Sequence, residues 1–176
     1  MKIFNKVLVL SLMVFITVTI SSCGNGGSVI SERIKYLRAQ SLQETILCEV
    51  GNEYKSEWHN FTVESIEEVS NYAGYSAQEG NTLYKVKITE TCVIKVFPVV
   101  FGTIHWHMDS DELSEYARPL DPLDNTMMPV NFILDYKESA TYIMIFEVPQ
   151  GLNDLKLVYP EIGNHGKFAT FMYSIK

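Results

Sequence analysis

The chain has 176 residues, of which 47% are apolar and 20% are charged, and its formal net charge is −7. This profile is typical of one folded globular domain, and it excludes a disordered, collagen-like or multipass membrane protein. Because 21 acidic residues outnumber 14 basic ones, we expect no basic face for a phosphate backbone and no nucleic-acid partner.

The N-terminus has the features of an export signal. Lys2 and Lys6 precede an uncharged apolar run at residues 7–20. A helix of this length would extend about 21 Å, which is short of the roughly 30 Å hydrocarbon core of a bilayer. A signal peptide at residues 1–22 therefore explains the pattern better than an uncleaved anchor helix, which is the alternative.

An aliphatic residue, two small residues and a cysteine complete this segment: Ile20, Ser21, Ser22 and Cys23. The order resembles the bacterial lipobox. The resemblance implies cleavage before Cys23 and a lipid on its thiol, which would anchor the protein to a cell membrane or outer envelope on the extracytoplasmic side.

Cleavage would change the charge of the protein as well as its length. It would remove Lys2 and Lys6 but no acidic residue, which leaves 154 residues with 12 basic and 21 acidic side chains and a net charge of −9. Residues 23–44 begin with a glycine-rich stretch and continue with only a weak helical pattern. We predict that they form a lipidated tether.

From residue 45 onward the apolar residues recur with a period of two. Tyr84, Val86 and Ile88 alternate with polar residues, as in a strand of a half-buried antiparallel sheet. Comparable runs predict further strands at residues 46–50, 61–69, 99–108, 131–135, 141–148, 155–159 and 168–175. Turn-forming residues separate these runs without a helical pattern of ten residues, so we predict a sandwich or barrel of seven or eight strands.

One connecting segment and one strand have distinct roles in the predicted fold. Residues 118–129 contain three of the six prolines, which predicts a crossing loop because proline has no backbone N–H for a ladder. Residues 141–148 are mostly apolar on both faces, which predicts a central strand covered on both sides.

Three runs carry a family resemblance: EGNTLYKVKIT at residues 79–89, FEVP at 146–149 and LKLVY at 155–159. They resemble telokin-like, immunoprotective-extracellular-type Ig-like domains of bacterial lipoproteins. The resemblance implies an Ig-like antiparallel β-sandwich at residues 45–176, and it implies no activity. Glu-Thr-Cys at residues 90–92 departs from the Asn-Thr pair with which family members often open a turn.

Two cysteines lie in the predicted domain. Outside the cytosol Cys48 and Cys92 could form a disulfide. The alternative is two separate buried thiols that behave as small apolar side chains.

The triplet His-Trp-His at residues 105–107 suggests a metal site. Residues i and i+2 of a strand share a face, so His105 and His107 could bind zinc or copper together. No further histidine or cysteine has a recognisable ligand spacing, and the alternative is an exposed strand face with Trp106 packed inward. The acidic turn at residues 109–115 could bind calcium, but it lacks the EF-hand pattern, and a solvated acidic loop explains it better.

No motif for catalysis is present. The sequence lacks a Gly-x-Ser-x-Gly elbow, a Ser-x-x-Lys pair and a phosphate-binding loop, so we predict no enzyme and no cofactor. We expect a lipid-anchored, non-catalytic binding module of the cell surface or envelope, with an extracellular protein or cell-wall component as its partner. An envelope zinc or copper protein using His105 and His107 is the alternative. Loop tyrosines at positions 72, 75 and 116 either contact the partner or cover the core.

Overall fold

A computed structural model of the chain describes residues 44–96, 99–162 and 168–176. The predicted signal peptide, the lipidation site Cys23 and the predicted tether up to residue 43 lie outside the described residues. The stretch Leu42–Lys176 clusters as one compact unit. Among the described residues, none lies in a helix with the length and hydrophobicity that a bilayer crossing requires.

The described residues form strands and one short 3-10 helix, Thr103–His105, without an α-helix. The strands are β1 (Glu44–Cys48), β2 (Glu53–Lys55), β3 (His59–Val69), β4 (Asn71–Tyr72), β5 (Tyr75–Ser76), β6 (Asn81–Cys92), β7 (Val99–Phe101), β8 (His107–Asp109), β9 (Phe132–Leu134), β10 (Ser139–Pro149), β11 (Lys156–Ile162) and β12 (Phe168–Ser174). The prediction of an all-β chain is confirmed.

Eight of these strands form two four-stranded sheets. Sheet A has the order β1-β12-β11-β8, and sheet B has the order β10-β6-β3-β2. The remaining strands pair as two ribbons, β4 with β5 and β7 with β9. All pairings are antiparallel except that of β1 with β12, which is parallel. The predicted sandwich of seven or eight principal strands is therefore confirmed.

The two sheets pack face to face around an aromatic core. Phe61 of sheet B meets Phe171 of sheet A edge to face, with 5.0 Å between ring centroids. Tyr84, Val86 and Ile88 on β6 are each at most 2% exposed, as their alternation predicts. The period-two pattern thus identifies the inner face of sheet B correctly.

Strand β10 is an edge strand of sheet B, so the prediction of a central strand at residues 141–148 is wrong. Its two faces are nevertheless both covered. Met144 and Phe146 are buried in the core between the sheets, whereas Ile145 on the opposite face packs with Leu83 and Met127. Burial of both faces explains the apolar sequence without a second neighbouring strand.

The proline-rich segment covers the free edge of β10. The backbone N–H of Leu120 donates to the carbonyl of Ile145 at 2.7 Å, and that of Met128 donates to the carbonyl of Ile143 at 2.8 Å. In return, the N–H of Ile143 donates to the carbonyl of Thr126 at 3.0 Å. The predicted crossing loop therefore also satisfies an edge that would otherwise be open to other strands.

The predicted strand at residues 99–108 is interrupted. The chain leaves β7 at Gly102, turns through the 3-10 helix and resumes as β8 at His107. A side chain at position 102 would overlap the backbone carbonyl of Val130, so only glycine permits this close approach. The prediction of one continuous strand is wrong because its apolar alternation continues through the turn.

The two cysteines of the domain lie in different sheets. Cys48 on β1 belongs to sheet A, where it pairs in register with Tyr173. Cys92 at the end of β6 is buried with Phe101 and Leu134. Both thiols are free. The structure thus has two separate thiols, of which Cys92 is buried and Cys48 is only partly buried, and it gives the considered disulfide no support.

Candidate functional site

A buried histidine lies at one end of the core. His59 on β3 has the same parity as Phe61 and Val63, so it faces inward, and it is 2% exposed. Aromatic rings enclose its imidazole: the ring centroids of Phe101 and Tyr159 lie 5.0 and 5.4 Å away, both in edge-on geometry. An imidazole in this position has little access to water.

A buried carboxyl group faces the same end of the core. Glu90 on β6 continues the inward series of Val86 and Ile88, and it is 2% exposed. The indole N–H of Trp106 donates to Glu90 Oε1 at 3.2 Å. The second oxygen, Oε2, and the Nε2 atom of His59 have no hydrogen-bond partner within the described residues.

Burial sets the charge of both groups. It raises the pKa of Glu90 to about 7, although the Trp106 hydrogen bond opposes this shift. Burial lowers the pKa of His59 to about 3, and the nearby His105 lowers it further. The imidazole is therefore neutral at physiological pH. The 3.8 Å separation between His59 Nε2 and Glu90 Oε1 is accordingly not an ion pair.

The hydrogen bonds of Ser56 indicate which imidazole nitrogen carries the proton. The hydroxyl oxygen of Ser56 accepts the backbone N–H groups of Trp58 and His59, each at 3.2 Å. These bonds occupy both acceptor positions of the oxygen. We infer that its hydroxyl donates to His59 Nδ1, which lies 3.1 Å away, and that the ring proton is on Nε2.

A cavity of about 290 Å³ opens beside these two side chains. Most of its wall is apolar or aromatic, and we call it the His59–Glu90 pocket. Its lining consists of Trp58, His59, Glu90, Val99, Val100, Phe101, Gly102, His105, Trp106, Tyr159 and Pro160. The pocket therefore combines a mostly apolar surface with the imidazoles of His59 and His105 and the carboxyl group of Glu90.

The two histidines of the predicted metal site do not face one another. His105 lies in the 3-10 helix and lines the His59–Glu90 pocket. His107 lies on β8 and lines a second depression, with its ring centroid 4.8 Å from that of Tyr116. Because the two residues do not share a strand, the assumption that they share a face is wrong.

The described part of the chain contains no group of three or more His, Cys, Asp or Glu side chains that could hold a metal ion. The carboxylate of Asp154 holds the acidic turn from outside it. It accepts hydrogen bonds from the hydroxyl of Ser110 and from the backbone N–H of Asp111, the latter at 2.9 Å. Lys156 lies 3.3 Å from the same carboxylate. Neither the histidine hypothesis nor the calcium alternative is supported by this arrangement.

Of the three loop tyrosines, Tyr72 and Tyr75 cover the protein, whereas Tyr116 is 49% exposed. Tyr72 and Tyr75 pack against the outer face of sheet B at Leu83. The hydroxyl of Tyr75 donates to the carbonyl of Asp121 at 2.7 Å, and that of Tyr72 is 3.0 Å from Thr126 Oγ1. Their hydroxyl groups attach the β4–β5 ribbon to the proline-rich segment.

The sequence prediction did not select His59 or Glu90. The two-residue alternation of strand faces could have identified them. It places Glu90 on the same face as Val86 and Ile88, and it places His59 on the same face as Phe61. A charged residue in register with a buried apolar series predicts a buried carboxyl group. Nothing in the sequence indicates that β3 and β6 bring the two side chains within 4 Å.

Comparisons with known proteins identify the fold. No family model matches the chain, and no curated protein sequence matches it. Several solved structures resemble it. The candidate lipoprotein ycdA of Bacillus subtilis is 16% identical with a TM-score of 0.55, and the match covers 72% of this chain and 39% of ycdA.

Two other structures match over nearly their whole length. The secreted protein MPT63 of Mycobacterium tuberculosis is 11% identical with a TM-score of 0.54, covering 74% of this chain and 97% of MPT63. An uncharacterised β-sandwich protein of Clostridium difficile is 12% identical with a TM-score of 0.50, covering 76% of this chain and 96% of that protein.

At these identities the likeness extends to the fold alone. The chain shares the β-sandwich of bacterial proteins that include uncharacterised members. The more specific resemblance to telokin-like domains stays a prediction.

Proposed function

We propose that the protein is a non-catalytic extracytoplasmic binding module whose ligand occupies the His59–Glu90 pocket. The observation that carries this proposal is the pair of buried polar atoms, His59 Nε2 and Glu90 Oε2, that lack a partner in the described residues and belong to residues lining a mostly apolar cavity. Native proteins pair nearly all buried polar atoms, so unpaired ones need an explanation, and titratable groups with perturbed pKa values cluster at functional sites.

The energetics favour a ligand with polar groups that match these atoms. An unpaired buried donor or acceptor costs about 1–3 kcal/mol, which a ligand would recover by supplying the missing hydrogen bonds. The aromatic and aliphatic wall would add the burial of apolar surface. The pocket thus offers both affinity and orientation to a bound group.

The size of the pocket limits what it can hold. About 290 Å³ accommodates a single ring-sized group. Such a group could be a free small molecule or the terminal part of an extracellular protein or cell-wall component. The partner classes expected from the sequence are therefore compatible with this site.

The location of the protein rests on the sequence and on its structural neighbours. The resemblance of residues 20–23 to a lipobox supports a lipid anchor on Cys23 and attachment to a membrane. The neighbours include a candidate lipoprotein and a secreted protein, which supports an extracytoplasmic location. Mass spectrometry of membrane-extracted protein should find acylated Cys23 at the mature N-terminus, and an unmodified Met1 would contradict this.

The chemistry of the pocket supports binding rather than catalysis. Four titratable side chains line it, those of His59, Glu90, His105 and Tyr159, but none of the described lining residues is Ser, Thr, Cys or Lys. Burial also raises the pKa of Tyr159, which keeps its phenol protonated. The lining therefore offers recognition groups and no activated nucleophile.

A fragment screen with a blocking variant tests the proposal. Trp58 and Trp106 line the pocket, so ring-sized compounds that enter it should change tryptophan fluorescence. Val100 also lines the pocket and is 56% exposed, so Val100→Trp should obstruct the cavity at little cost in stability.

The matched control is Ile133→Trp. Ile133 pairs with Val100 across the β7–β9 ribbon and is 60% exposed, but it is not part of the lining. We expect binding to be lost in Val100→Trp and retained in Ile133→Trp. Failure of every ring-sized compound to bind, or equal binding by both variants, would contradict the proposed site.

A further inference from the structure

We infer that the His59–Glu90 pocket recognises a neutral hydroxyl group on an apolar ring, which is the chemistry of a phenol. This inference rests on the proposed binding function and specifies the ligand class. The hydroxyl oxygen would accept the Nε2–H of His59, and its proton would be donated to the Glu90 carboxyl group.

The two unpaired protein atoms have complementary roles, because His59 Nε2 is a hydrogen-bond donor and Glu90 Oε2 is an acceptor. The Ser56 hydrogen bonds put the imidazole proton on His59 Nε2, which makes that atom a donor. Glu90 Oε2 has no donor directed at it, whereas Oε1 already accepts from Trp106. A hydroxyl group both accepts and donates, so one such group can satisfy both sides.

The two side chains do not satisfy one another. His59 Nε2 lies 3.8 Å from Glu90 Oε1, which is too far for a direct hydrogen bond, and Oε1 already accepts from Trp106. A ligand hydroxyl that reached both side chains, with hydrogen bonds of about 2.8 Å, would lie on the pocket side of the pair rather than between them.

The lining disfavours charged ligands. It contains no Lys or Arg among the described residues, and burial lowers the pKa of His105, so an anionic group would face the Glu90 carboxyl without a compensating cation. An ammonium group could pair with Glu90, but it has no lone pair to accept the N–H of His59. Neither type of ion satisfies both protein atoms.

The lining also disfavours ligands with many hydroxyl groups. Beyond His59 and Glu90, much of the wall is apolar, including Val99, Phe101 and Pro160. Each additional hydroxyl of a sugar facing this surface would lose its hydrogen bonds to water without replacing them. One hydroxyl on an apolar ring fits the pocket better.

Four probes of similar size test the inference on the full chain at about pH 8: p-cresol, toluene, p-toluate and 4-methylbenzylammonium. We expect p-cresol to bind about tenfold or more tightly than toluene, since a hydrogen-bonding site rejects an analogue that lacks the hydroxyl. The two ions should bind more weakly than p-cresol. In Glu90→Leu the preference for p-cresol over toluene should fall several-fold, because the hydroxyl loses its acceptor and keeps only the His59 donor, whereas the control His107→Ala should retain it.

The outcomes separate the inference from the proposed function. Equal binding of toluene and p-cresol by the unmodified protein would overturn the inference but leave an apolar binding site. Tightest binding by either ion would also overturn the inference. If none of the four binds, the inference fails, and the Val100→Trp and Ile133→Trp screen decides whether the pocket binds anything. The ranking in the unmodified protein is decisive even if Glu90→Leu does not fold.

Discussion

The free energy of unfolding of Glu90→Gln should increase relative to that of the unmodified protein as the pH rises. The carboxyl group has a pKa of about 7 in the folded protein, compared with an ordinary value of 4.5. Between these two values the folded state holds a proton that the unfolded state releases, so the stability of the unmodified protein falls with rising pH. Gln keeps the shape of the side chain and an oxygen for the Trp106 hydrogen bond, but it does not ionise.

The magnitude follows from the size of the shift. One pKa unit corresponds to about 1.4 kcal/mol, so the free energy of unfolding of Glu90→Gln should gain about 3 kcal/mol on the unmodified protein between about pH 4.5 and pH 8. His59 also titrates abnormally, but its contribution is present in both proteins and cancels in the difference. Urea unfolding of both proteins across this pH range, followed by tryptophan fluorescence, measures the difference.

The control is Glu67→Gln, on the exposed face of β3. Hydrogen bonds from Ser65 and Lys85 lower the pKa of Glu67, so its contribution to stability is present above the unfolded-state pKa and is lost as the pH falls through the folded-state pKa. The control variant should gain nothing as the pH rises. A difference between Glu90→Gln and the unmodified protein that stays constant with pH would refute the reasoning that Glu90 is buried without a partner charge.

Three further predictions concern the core, a close approach and the thiols. Phe146→Ala should lower the free energy of unfolding by about 3–5 kcal/mol because Phe146 is fully buried, and a loss under about 1 kcal/mol in urea unfolding would contradict its place in the core. Gly102→Ala should cost about 1–3 kcal/mol, since its side chain would overlap the Val130 carbonyl, and an unchanged melting temperature would show that the approach is looser. Alkylation of the denatured protein without reductant should label both Cys48 and Cys92, and labelling that requires reductant would reveal a disulfide.

Period-two alternation predicted most strands of the two main sheets because one face of each is buried, but it did not predict the short edge strand β2. It placed Tyr84, Val86 and Ile88 in the core correctly. It failed at residues 99–108, where the interruption depends on the contact of Gly102 with Val130, a residue distant in sequence. It also misplaced β10, because a covering loop buries a strand face as effectively as a neighbouring sheet.

The candidate site was harder to predict than the fold. Its polar residues were recognisable only as exceptions to an apolar series, whereas the adjacent histidines form a more conspicuous pattern. His105 and His107 are close in sequence but face different depressions. His59 and Glu90 are distant in sequence, and the antiparallel pairing of β3 with β6 brings them together.

The parallel pairing of β1 with β12 has a mechanical consequence. Because the strands run in the same direction, Glu44 at the start of β1 and Ser174 at the end of β12 lie at opposite ends of the pair. Tension applied between these residues would act along the strands and load their hydrogen bonds together in shear, instead of separating them one after another. With Cys23 held at a membrane, as we propose, the sandwich would resist a pull on its C-terminal strand without being peeled open from β1.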